Sequence, residues 1–160
     1  MESRKEIAPE KFFIDAVDGR ETIAQAGRNG TFCFVGKKLK SRRADQFGPA
    51  TDETEVDFLK VNEGGTFSKK FLSILADPDV AVFIQAQVAN FCKKYSWRFK
   101  RNQAVMFIIQ QRRKLYVLVV ARAEDKGIYQ GLGITRYGLN NYFSGRMENH
   151  SIVVPKDILT

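Results

Sequence analysis

Two nearly unbroken apolar runs lie close together in the second half of the chain: Ala104-Val105-Met106-Phe107-Ile108-Ile109 and Leu115-Tyr116-Val117-Leu118-Val119-Val120. Runs of this length without polar alternation predict strands covered on both faces. The intervening Gln110-Gln111-Arg112-Arg113-Lys114 is polar throughout and makes the pair a hairpin with a basic tip. Ahead of it, Val80, Ile84, Val88, Phe91 and Tyr95 step by four, four, three and four, the spacing that lines one helix face. Asp77-Pro78 offers a start, a side-chain cap followed by a proline whose missing N–H costs nothing there. The spacing therefore predicts one long helix from Pro78 to Tyr95, with Lys93 and Lys94 at the negative end of its dipole.

Earlier in the chain the pattern is mostly of the strand type. Phe12-Phe13-Ile14-Asp15-Ala16-Val17 reads as a strand, and Asp18-Gly19 as a hairpin turn after it. The return strand falls on residues 21–26, with a short helix as the competing reading. Thr31-Phe32-Cys33-Phe34-Val35 is a further strand, and residues 44–53 with Gly48-Pro49 are a loop. Glu55-Val56-Asp57-Phe58-Leu59-Lys60-Val61 is a fourth strand. Thr66 or Ser68 caps a short helix reaching Ala76. After the central hairpin, residues 127–136 form another strand, and Ile152-Val153-Val154 before Pro155 a last strand at a sheet edge. Residues 1–9 are polar and form a mobile arm. Residues 10–160 then make a single α+β domain, in which an antiparallel sheet of about seven strands packs on the long helix. Its parts run in the order N-terminal meander, helix pair, C-terminal meander.

Composition adds a partner to this picture. The 160 residues are 44% apolar, enough for a real core, and carry a formal net charge of +8. Half of the 26 cations fall in three short clusters, at residues 37–43, 93–101 and 112–114. Between Val80 and Ala123 there is no Asp or Glu at all. Clustered cations raise the prior for a polyanionic partner. Cys33 and Cys92 sit in apolar runs, away from metal-ligand spacing, and read as buried thiols of a reduced, cytoplasmic protein. No run approaches the length of a membrane span, and the first residues lack the apolar stretch of a signal peptide. No cofactor and no structural metal are expected.

The candidate site follows from where cations meet aromatic rings. In Lys93-Lys94-Tyr95-Ser96-Trp97-Arg98-Phe99-Lys100-Arg101, five cations alternate with three rings. Cations neutralise phosphate, and flat rings give unpaired bases a surface to stack on. Lys94, Arg98, Lys100 and Arg101 are assigned to phosphates, Trp97 and Phe99 to bases. Against this stands the ordinary fate of aromatics, burial in the core. Lys37, Lys38, Lys40, Arg42 and Arg43 form a second phosphate-tracking segment, unless Asp52, Glu53, Glu55 and Asp57 on the next strand neutralise it. Arg112, Arg113 and Lys114 project from the hairpin tip with no acid nearby in sequence; the alternative there is charge protecting a sheet rim. Arg136, Tyr137, Tyr142 and Arg146 bring rings and cations together once more. Gly131 and Gly133 lack the third glycine of a dinucleotide fingerprint and are assigned to close backbone approach or a sheet bend.

Three functions compete on this reading. The first is binding of single-stranded DNA or RNA with little sequence specificity. The second is a non-enzymatic assembly or regulatory module that forms homo-oligomers through its apolar hairpin and many phenylalanines. The third, a Mg²⁺-dependent nuclease, would place Glu53, Glu55 and Asp57 on one face of a strand. Its weakness is the lack of a second acid cluster.

Overall fold

The two apolar runs pair as expected, and the rest of the sheet grows outward from them. The computed structural model describes residues 10–61, 66–72, 75, 77–100, 103–123, 131–141 and 149–159. In chain order the elements are β1 (Phe12–Ile14), α1 (Ile23–Arg28), β2 (Phe32–Val35), α2 (Lys37–Lys40), β3 (Thr54–Val61) and α3 (Phe67–Leu72). They continue with β4 (Val82–Phe83), α4 (Gln85–Lys94), β5 (Gln103–Gln111), β6 (Lys114–Ala123), β7 (Gly131–Gly138) and β8 (Asn149–Pro155). The fold is mixed α and β, with one mostly antiparallel sheet of eight strands in the order β1-β3-β8-β5-β6-β7-β2; β4 pairs with β5 beside this path.

Register explains why β5 and β6 are apolar at almost every position. Val105 opposes Val120 and Phe107 opposes Leu118 on one face, while Met106 opposes Val119 and Ile108 opposes Val117 on the other. The first face packs on α1 and α4 through Ile23, Val88, Phe91 and Cys92. The second is covered by Phe67, Leu75 and Ala81. Phe91 is the hub of the first core, with its ring 4.9 Å from Tyr95 and 5.4 Å from Phe107 between centroids.

The single long helix is not formed. Asp77 does cap a turn, accepting from Asp79 N at 3.0 Å, but that turn is a 3₁₀ helix ending at Ala81. Val82 and Phe83 then leave helical geometry to pair in parallel with Ile108 and Ile109. β8 pairs with β5 only as far as Met106, so the edge of β5 beyond it needs partners for its peptide groups. That demand outweighs the helical spacing. α4 starts after Ile84, whose N–H donates to Gln87 Oε1 at 3.0 Å, and leaves Val80 exposed.

Three other expectations are corrected. Residues 21–26 take the competing helical reading in place of the return strand: Thr22 accepts from Gln25 N at 3.2 Å and caps α1. Gly19 has a φ of +85°, and a side chain there would run into the carbonyls of Gly48 and Pro49, so the turn seats a distant loop and closes no hairpin. Ile152-Val153-Val154 is no edge. β8 lies inside the sheet, antiparallel to β3 and parallel to β5, with all three side chains fully buried. Lastly, β2 joins the sheet by a parallel pairing with β7, which no meander supplies. The expected arm at residues 1–9 lies outside the described residues.

Candidate nucleic-acid interface

The basic hairpin tip is a two-residue turn. Gln111 and Lys114 form the last pair of the ladder, and Arg112 and Arg113 have φ values of +50° and +65°. Positive φ at both central residues matches the twist of the flanking strands, which is why Asn-Gly dominates such turns. An L-residue with a Cβ resists this conformation by about 1 kcal/mol or more. Two arginines hold it here, and both are exposed.

Three contacts bring the first basic segment to the same end of the sheet. Gly36 N donates to Ile134 O at 2.9 Å, hanging α2 from the parallel β2–β7 pair. Leu39, fully buried, pins α2 to the core and leaves Lys37, Lys38 and Lys40 exposed. The carbonyl of Ala44 then accepts from the side-chain amides of both Gln85 and Gln111, tying the chain after α2 to the start of α4 and to the hairpin. Arg43 and Arg112 consequently line one groove of about 120 Å³, together with Gln46, Phe47, Phe83 and Ile109. Lys40 lines a separate groove beside Arg28.

Neutralisation by the acids of β3 does not occur. Glu55 pairs with Lys156 at 2.9 Å, and Asp57 accepts from Phe58 N. Among the described residues no carboxylate comes within 4.0 Å of the charged groups of Lys37, Lys38, Lys40, Arg42, Arg43, Arg112, Arg113 or Lys114. Glu53 precedes β3, and among the described residues no three His, Cys, Asp or Glu side chains gather to hold a metal ion.

The described part of the next cluster, residues 93–100, sits at the other end of the sheet. Arg122 donates to Ser96 O at 2.7 Å and to Phe99 O at 2.8 Å, clamping the turn after α4 near the far end of β6. The hairpin tip is roughly 25 Å away along that strand, at about 3.3 Å per residue. Of its rings only Trp97 faces solvent, at 63% exposure; Phe99 is 3% exposed and packs edge-on against Phe91, so it has no free face for a base. Lys94 is held by Asp15 at 2.8 Å. The Arg98 guanidinium lies over the rings of Phe12 and Phe58. Lys100 is exposed.

The third group divides. Arg136 is half-buried at the hairpin end, donating to Gln111 Oε1 at 2.6 Å. Tyr137 points to the opposite face of the sheet and packs on Phe67, 5.4 Å between ring centroids. Arg101, Tyr142 and Arg146 lie outside the described residues. Gly133 is not required for close approach, since a Cβ there would meet the Phe34 side chain at an ordinary 3.8 Å; Gly131, with a φ of +137°, holds a backbone conformation that favours glycine.

One residue of this surface was not anticipated. Phe47 is 71% exposed and stands in the groove between the two basic segments. Its only sequence signal is its setting, a lone ring beside Gly48-Pro49 in a polar loop. Compared with protein-family models, curated proteins and solved structures, the chain matches none of them. Among the described residues no helix is long and apolar enough to cross a membrane.

Proposed function

We propose that this protein binds single-stranded nucleic acid through the hairpin end of its sheet. The observation that carries this reading is the meeting of Arg43 and Arg112, one from each of the basic segments 37–43 and 112–114, at one groove, with no carboxylate among the described residues paired to either segment. Unpaired cations held together by backbone contacts form a site for successive phosphates, and binding by such a site falls with rising salt. The strained Arg112-Arg113 turn supports the same reading, because strain of this kind collects where function requires it. Lys93 and Lys100, at the opposite end, lie outside this surface.

The test is a titration of a labelled oligonucleotide at several salt concentrations with two charge-reversed variants. Arg112→Glu/Arg113→Glu loses tenfold or more in affinity at low salt, and its salt slope falls by about 0.7 for each phosphate contact removed. Lys93→Glu/Lys100→Glu stays within about threefold of wild type, as expected for charges beyond the screening distance. Absence of any salt-sensitive binding by the wild-type protein, or equal losses in both variants, refutes the assignment.

A further inference from the structure

We propose that the groove between Arg43 and Arg112 is a slot for a single unpaired nucleobase. The proposal rests on the nucleic-acid reading above and says what that surface does with the base. Phe83 and Ile109 lie beneath the groove, almost fully buried, and Gln110 and Gln111 add amides to its lining. Phe47 stands in it with 71% of its surface open to solvent. Gln46 is exposed at the same groove, and among the described residues its carboxamide has no partner. Arg43 and Arg112 are the cations of the lining.

Each part matches one part of a nucleotide. A flat base with apolar faces and a polar edge fits against the exposed ring of Phe47, and stacking on such a ring tolerates any base. The free carboxamide of Gln46 has both donors and an acceptor for the edge of that base. The two guanidinium groups meet the phosphates on either side, in the planar geometry that suits phosphate oxygens. The groove, about 120 Å³, carries one exposed ring, Phe47, and so offers a stacking face for one base. A duplex keeps its bases stacked inside and presents only its backbone to such a slot.

The experiment compares an oligothymidylate with an oligonucleotide of the same length whose sugars carry no bases. Wild type, Phe47→Ala and Gln46→Ala are titrated with each. Wild type prefers the base-bearing strand by fivefold or more, as the loss of one stacked base implies. Phe47→Ala abolishes that preference, with its salt slope and its melting temperature unchanged because the ring is exposed. Gln46→Ala weakens binding of the base-bearing strand and leaves binding of the abasic one as it was. Equal binding of both strands by wild type, with salt sensitivity intact, overturns the slot and leaves the phosphate surface standing. Parallel losses of both strands in Phe47→Ala also overturn it. Failure of wild type to bind either strand removes both readings together.

Discussion

The guanidinium of Arg136 lies over the ring of Tyr116, its Cζ 4.1 Å from the centroid, while its Nη1 donates to Gln111 Oε1. Gln111 in turn donates to the carbonyl of Ala44. A chain of three contacts thus runs from β7 through the hairpin to the basic segment that follows α2. Arg136→Lys keeps the charge but loses the planar fork and the stacking. It is expected to cost about 1 kcal/mol, read as a lower midpoint in urea. Oligonucleotide binding should weaken as well, because the hairpin and the residue 42–47 segment lose a shared brace. Unchanged stability would show that the brace is not needed.

Arg113 has a φ of +65°, a conformation that glycine adopts freely. Arg113→Gly should therefore raise stability by about 0.5–1 kcal/mol while lowering affinity for a single strand severalfold. The two changes must be measured on the same preparation, by thermal melting and by titration. A variant that is both less stable and equally tight in binding contradicts the assignment of strain to function.

Lys94 and Asn90 both bond the carboxylate of Asp15, with the Lys94 contact the larger cause, and hold its pKa below the ordinary 3.8. The same bond to Asp15 raises Lys94 above 10.5. The Asp15 contribution is present above pH 3.8 and disappears as pH falls through the lower folded-state value. The Lys94 contribution is present below pH 10.5 and disappears as pH rises through its higher one. Both side chains are substantially exposed, so the pair is worth under about 1 kcal/mol. Asp15→Asn should thus be slightly less stable than wild type at pH 7, with the gap closing in strongly acidic buffer. A gap that widens on acidification would reverse this account.

Burial in the core pushes the Cys92 thiol far above its ordinary pKa, whereas Cys33 on β2 is only half-buried. The thiolate is the reacting species. A thiol-specific reagent should modify Cys33 slowly in the native protein and reach Cys92 only after unfolding. Mass analysis of the labelled peptides checks this, and native labelling of Cys92 would place the aromatic core in doubt.

Much of the sheet was legible in the residues, because β5 and β6 are apolar on two faces and the first half of β7 alternates. What stayed hidden depended on contacts distant in sequence. The helical spacing through Val80 and Ile84 was real, yet Val82 and Phe83 are drawn off to complete the edge of β5. Ile152-Val153-Val154 carries no local mark of being central, since both of its neighbours lie far away in the chain. The site was half-legible for the same reason. Charge clusters are local and were found. Their division between two ends of the sheet, the burial of Phe99 and the exposure of Phe47 are matters of packing that no local pattern encodes.

Placing β8 between β3 and β5 has a consequence for how the molecule is made. Residues 12–61 and 103–138 are synthesised before the segment that joins their strands. Until residues 149–155 leave the ribosome, β3 and β5 each offer an open backbone edge to any passing strand. Closure of the sheet is therefore a late, long-range event and a slow one by its topology.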